Sequence, residues 1–172
     1  MGAYPGGSII RVTPTLSTDA YAQNDVLTNA TEIPNAVSSR GGVSKLINVS
    51  ILNQNTDDLD VDIVFMQVQT NLGTINDAVG SGSLWTDDLA QAAKVIGHIR
   101  VDGSDALCNL IGSKLTSFSG PSGDQTVAQM PMLLQAEPGS TSVYFAAILR
   151  SAITPTYVAD DIDFHFHIEY IN

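Results

Sequence analysis

The chain is poor in cysteine and in charge, and each shortage narrows what it can be. Its single cysteine, Cys108, permits no intrachain disulfide and no cysteine metal cluster. Flanked by Leu107 and Leu110, it reads as a small hydrophobe on a half-buried strand. Only 7 of the 172 residues are Lys or Arg, against 18 Asp or Glu, for a net charge of -11. That is too few cations to neutralise a phosphate backbone and release its counterions, so the composition argues against nucleic acid as a partner. An anionic membrane surface is disfavoured for the same reason. No apolar run approaches the ~18 residues that a membrane-spanning helix needs. The opening MGAYPGGSIIRV lacks the basic region and apolar core of a secretion signal. Synthesis in a cytoplasm is the expectation, and the sequons at Asn29 and Asn48 are then chance matches.

Charged residues make up 15% of the chain, below the ~25% of an ordinary soluble domain, while 44% are hydrophobic. The missing charge is mostly Lys and Glu, which coat exposed helices: Glu occurs three times (Glu32, Glu137, Glu169) and Asp fifteen. Aspartate favours turns and helix caps. The composition therefore points to a β-rich globule. Residues 1–8, rich in Gly with one Pro, read as a flexible arm, and 9–172 as a single β-sandwich domain.

Strand signals recur along the chain. Ser8 to Leu16 reads as a strand whose Pro14 implies an edge position or an early end. Asn24 to Thr28 turns into an extended segment that runs to Pro34. Between Val43 and Gln54, the residues Val43, Lys45, Ile47, Val49 and Ile51 fall on one face, read as core; Ser44, Leu46, Asn48, Ser50 and Leu52 form a partly covered one. The polar run Asn53 to Asp60 followed by Val61 to Thr70 predicts a hairpin with a central strand. A short helix is expected near residues 87–94, capped by Thr86 or Asp87, with Lys94 near its end. Further strands are expected at Val95 to Val101, Ala106 to Phe118, Met132 to Ala136 and Ser142 to Arg150. Alternation is unbroken from Ile162 to Tyr170: Ile162, Phe164, Phe166, Ile168 and Tyr170 face one way, and Asp163, His165, His167 and Glu169 the other. About eight or nine strands and one short helix make an all-β antiparallel sandwich, and the jelly roll is the expected form.

Little in the sequence carries chemistry. Asp163-x-His165-x-His167 puts three side chains on one face of a strand at a spacing that can share a metal; the plainer reading is a solvated or interface face opposite a core face. Histidines at a subunit contact would make assembly sensitive to acid. Asp58-x-Asp60-x-Asp62 starts like a calcium loop, but Ile63 stands where glycine is needed and Gln69 where glutamate is needed. A looser calcium site from Asp57, Asp58 and Asp60 is the alternative to ordinary Asp-rich turns. There is no Gly-x-Ser-x-Gly elbow, no His-Glu-x-x-His and no phosphate loop. Trp85 reads as a core or interface plug, with sugar stacking as the alternative.

Several segments read together carry a resemblance. They are Tyr21-x-x-Asn24-Asp25-Val26-Leu27, the run from Gly41 to Ile51, Val61-Asp62-Ile63-Val64-Phe65, and Trp85-Thr86-Asp87-Asp88-Leu89 with Ala92 to Ile99. The ending adds Ser142 to Ile148, Thr154-Pro155-Thr156-Tyr157 and Asp160-Asp161-Ile162. Together these resemble a family of small proteins encoded beside capsid genes in tailed bacteriophages. The resemblance implies a jelly-roll-like module that decorates or cements the outer surface of the capsid, clustering at threefold or quasi-threefold points. It implies synthesis in the host cytoplasm, no catalysis and no cofactor. The implied partners are the major capsid protein and further copies of the chain as a homo-oligomer, with a trimer expected; neither nucleic acid nor membrane is among them. On this reading Tyr4, Pro5, Ile9, Ile10, Lys45 and Trp85 are the candidate protein contacts.

Two other classes compete with it. A carbohydrate- or receptor-binding module of a phage tail or fibre would need an exposed aromatic or an Asp/Asn calcium cluster at one end of the sandwich, for which Trp85 with Asp87 and Asp88 is the candidate. A cupin-type enzyme would use His165 and His167 with a further carboxylate to hold iron or manganese, and the motif that normally supplies its third histidine and glutamate is missing.

Overall fold

In a computed structural model, the described residues are 6–55, 57–81, 91–103, 107–110, 112–118, 130–152 and 154–171. They form ten strands: β1 (Gly7–Val12), β2 (Val26–Ile33), β3 (Val43–Asn53), β4 (Val61–Met66), β5 (Val95–Val101), β6 (Leu107–Leu110), β7 (Ser113–Phe118), β8 (Met132–Gln135), β9 (Val143–Leu149) and β10 (Ile162–Tyr170). All the strand pairings are antiparallel, and they build two sheets. The first runs β1-β10-β3-β7-β6, with β8 also paired to β3; the second runs β2-β9-β4-β5. The architecture is all-β and two-layered.

The inner faces meet in one core. Phe145 of the second sheet packs against Phe164 and Phe166 of the first, with ring centroids 4.9 and 4.8 Å apart, and Phe65 meets Phe166 edge-on at 6.0 Å. Period-two patterning explains why these residues converge: every second residue of β10 from Ile162 to Ile168 is buried. Pro14 does mark an edge, since β1 has β10 on one side only and ends at Val12. The turn after β8 is built by Pro138 and Gly139, the glycine at φ 93°, with Ser140 N–H donating to the Glu137 carbonyl at 2.9 Å.

Four expectations change. First, β3 and β4 are not a hairpin. The polar connection after Asn53 carries the chain from one sheet to the other, because the Ile51 face of β3 and the Phe65 face of β4 bury each other across the core. Second, Ala106 to Phe118 is not one strand: β6 and β7 fold back on each other around Gly112 at φ 78°, with Leu110 opposite Ser113. Cys108 therefore lies on a sheet edge and is exposed rather than half-buried. Third, the strand from Val61 stops at Met66, well short of Thr70. Fourth, β3 does not alternate strictly. Its register against β10 skips one residue between His167 and Ile168, a bulge at Ile47, so the buried set switches from Ser44 and Leu46 to Val49, Ile51 and Asn53. Val43 and Lys45 are half-buried and Ile47 exposed, not core.

Of the expected helix, residues 91–93 are helical and Lys94, at φ 50°, ends the turn; 82–90 lie outside the described residues. Gly7 and Ser8, placed in the arm by sequence, are the first residues of β1, while 1–5 lie outside the described residues. No described helix is long and apolar enough to cross a membrane.

Candidate functional site

The outer face of the first sheet gathers five of the residues that the sequence singled out: Ile9, Lys45, Asp163, His165 and His167. Across β1, β10 and β3 the rows read Ile9, His167, Asn48; then Arg11, His165, Ser50; and, at one end, Gly7, Glu169, Lys45 with Leu133 of β8 beyond. Ser50 Oγ lies 3.0 Å from Asn48 Oδ1 and from Ser117 Oγ, and 3.4 Å from His167 Nε2, so a hydrogen-bonded ladder occupies the centre.

Asp163, His165 and His167 keep the shared face that period two dictates, but they do not act together. Asp163 is fully buried, accepting Arg11 Nη2 at 2.7 Å and the Thr13 hydroxyl. Both carboxylate oxygens are thus engaged within the fold, whereas a solvated face was expected. Burial pushes the Asp163 carboxyl up, and the Arg11 and Thr13 hydrogen bonds with the Arg11 charge more than reverse it, leaving it below the ordinary aspartate range. His165 and His167 are half-buried. Among the described residues no three His, Cys, Asp or Glu stand close enough to hold one metal ion.

The aspartates before and at the start of β4 are likewise dispersed over separate partners. Asp58 accepts Lys114 Nζ at 2.8 Å, Asp60 accepts the Gly103 N–H at 2.8 Å, and Asp62 takes Arg100 in a two-point pair at 2.8 and 3.2 Å with Arg150 at 3.5 Å. Six of the seven Lys and Arg side chains are committed to ion pairs of this kind.

The candidate contacts divide. Ile9 projects outward, 64% exposed; Lys45 is half-exposed beside Glu169 at 3.3 Å; Ile10 points inward and packs against the core, so it is no surface contact. Tyr4, Pro5, Trp85, Asp87 and Asp88 lie outside the described residues. Two exposed apolar residues of this face were missed. Ile47, 38% exposed, reaches the surface only because of the bulge; with Ile9, His167 and Glu169 it lines a shallow groove of about 300 Å³. Leu133 is 57% exposed, and the signal for it was present: Leu133-Leu134 on a four-residue strand must send one leucine out.

A second concavity, about 440 Å³, lies where β1 ends against β2; Thr and Asn side chains, Asn29 among them, share its lining with Pro14, Ala30 and Ile75. The buried Asn29 Oδ1 in its wall has no hydrogen-bond partner. No protein-family model matches the chain, and a comparison with curated proteins finds no match.

Proposed function

We propose that the chain is a jelly roll that serves as a structural virion protein, decorating or cementing the outside of a bacteriophage capsid without catalysis. Strand order supports the fold reading. With β7 and β8 counted as one position beside β3, and β6 as an added edge strand, the sheets run 1-8-3-6 and 2-7-4-5, the order two Greek keys produce in this fold. The function reading rests on the sequence resemblance to capsid-decorating proteins, and one observation carries it in the structure: the outer face of β1, β10 and β3. There Ile9, Ile47 and Leu133 stand exposed among uncharged Asn48 and Ser50 and internally paired Arg11 and Lys45. Such a face can be buried against the major capsid protein without stranding a charge. Its partner is then a protein surface, and its place the capsid exterior.

The test is the composition of purified particles. A copy number near that of the major shell protein is expected. A handful of copies per particle would instead favour a tail component, and absence from the particle overturns the structural reading.

The concavity around Asn29, where hydroxyls and amides alternate with apolar surface, favours a second reading, a carbohydrate- or receptor-binding module of a tail or fibre. Its hydroxyls and amides suit a neutral polyol. Glycan-array binding without copurification with capsids would support it.

A further inference from the structure

We propose that β1 is a docking edge for a second copy of this chain: two β1 strands pair antiparallel about a twofold axis at Ile9, joining two first sheets into one continuous sheet. Hydrogen-bond parity makes the edge available. Tyr170 N–H donates to the Gly6 carbonyl at 2.7 Å, which fixes the alternation along the unbroken register from Gly7 to Val12. Ser8, Ile10 and Val12 turn their N–H and C=O groups toward β10, and Gly7, Ile9 and Arg11 turn theirs outward.

Among the edge strands of the described residues, β1, β2, β5, β6 and the four-residue β8, β1 is the least guarded. Proteins blunt edges with bulges, short strands, lysine or proline. The pairing of β2 with β9 is broken by two register shifts, that of β5 with β4 by one, and β6 has four residues. β1 has six residues and no shift, and its one charge, Arg11, is already paired with Asp163.

The face beside this edge is self-complementary. With Ile9 opposite Ile9 of the second copy, Arg11 of each copy lies opposite Gly7 of the other. Gly7 has no side chain, and its neighbour one strand further in is Glu169. Each Arg11, held by Asp163 of its own copy, thus lies opposite a glycine of the second copy, where no side chain obstructs the pair, once on either side of the axis. At the centre the two Ile9 side chains cover each other and the Ile47 groove, and every outward backbone group from Gly7 to Arg11 finds a partner. This contact is isologous; a cyclic trimer would need β1 to meet a different strand.

Sedimentation or light scattering on the full chain at micromolar concentrations should give twice the 18.2 kDa chain mass. Ile9→Lys and Ile9→Glu should each weaken the dimer at least about tenfold, because like charges then face each other. An equimolar mixture of the two variants should recover the dimer, which requires residue 9 to lie opposite itself. Val158→Lys, at a 62% exposed valine of another loop, should leave association unchanged. On the unsubstituted protein, amide exchange at Gly7, Ile9 and Arg11 should slow as concentration rises, a readout that depends on no variant. A monomer at all concentrations, a trimer mass, a dimer indifferent to Ile9→Lys, a mixture that stays monomeric, or exchange at these amides independent of concentration overturns the proposal. The pairing does not rest on the capsid reading: absence from particles would leave it standing, and a monomeric chain would leave the capsid reading untouched.

Discussion

Arg11, on a solvent-exposed edge strand, holds the fully buried carboxylate of Asp163 on the neighbouring strand, Nη2 to Oδ2 at 2.7 Å. The two residues sit at opposite ends of the chain, so the pair fastens the N-terminal strand to the C-terminal one. Thr13, just past the end of β1, supplies the second hydrogen bond to the same carboxylate. A carboxylate so placed would be costly alone, and it is tolerated because both of its oxygens are satisfied.

Removing the guanidinium should therefore change the pH dependence of stability as well as its level. In the unsubstituted protein the folded-state pKa of Asp163 is depressed, so its contribution is present above the unfolded value of about 3.9 and fades as the pH falls through the folded value. In Arg11→Met burial is opposed only by the Thr13 hydroxyl and the nearby His165; the pKa rises, and the variant loses stability as the pH climbs. The gap in melting temperature between the two proteins should widen from pH 3 to pH 7, as followed by circular dichroism. A gap independent of pH would refute the coupling.

Asp60 behaves in the opposite sense. Burial pushes its carboxyl up, the Gly103 N–H at 2.8 Å opposes this, and the charges of Asp102 and Asp58 add to the rise. Folding thus favours the protonated form; the contribution is full below about pH 3.9 and is lost as the pH rises through the elevated folded value. Asp60→Asn keeps an acceptor for Gly103 and removes the charge. It should raise the melting temperature at pH 7 by up to about 2–4 °C, the shift that ~1 kcal/mol makes in a domain of this size, and should give no gain at pH 3.

The fold class was legible because period-two patterning survives where a strand has one wet face, as in β10. What the pattern could not carry was pairing. The polar run after Asn53 suits a hairpin turn and a crossover between sheets equally well, and only the burial of Ile51 against the second sheet decides between them. The break at Gly112 hides inside an alternating sequence because a two-residue turn preserves alternation on both sides. Ile9 and Lys45 were legible as surface residues, whereas Ile10 was not separable from Ile9 until register assigned their faces. Asp163 looked like one more polar residue, since the cation that buries it lies some 150 positions away.

Truncating the centre of the core should be severe. Phe145 touches rings from two strands of the opposite sheet, so Phe145→Ala removes contacts between layers that no neighbour can replace. A loss of about 3–5 kcal/mol is expected in urea denaturation, a large share of the ~5–15 kcal/mol that holds a domain together. A loss below about 1 kcal/mol would mean that the sheets do not pack through this residue.

The bulge at Ile47 can be tested with two substitutions two residues apart. Strict alternation would give Ile47 and Val49 the same environment, and equal costs when either is made polar. With one residue of β3 looped out of register against β10, Ile47 points to solvent and Val49 stays in the core. Ile47→Ser should therefore change stability by no more than about 0.5 kcal/mol, as surface substitutions do. Val49→Ser buries a hydroxyl among apolar neighbours and leaves a cavity, and should cost about 2 kcal/mol or more. Paired urea titrations measure both. Equal losses would restore the unbulged strand, return Ile47 to the core and take it away from the interaction face.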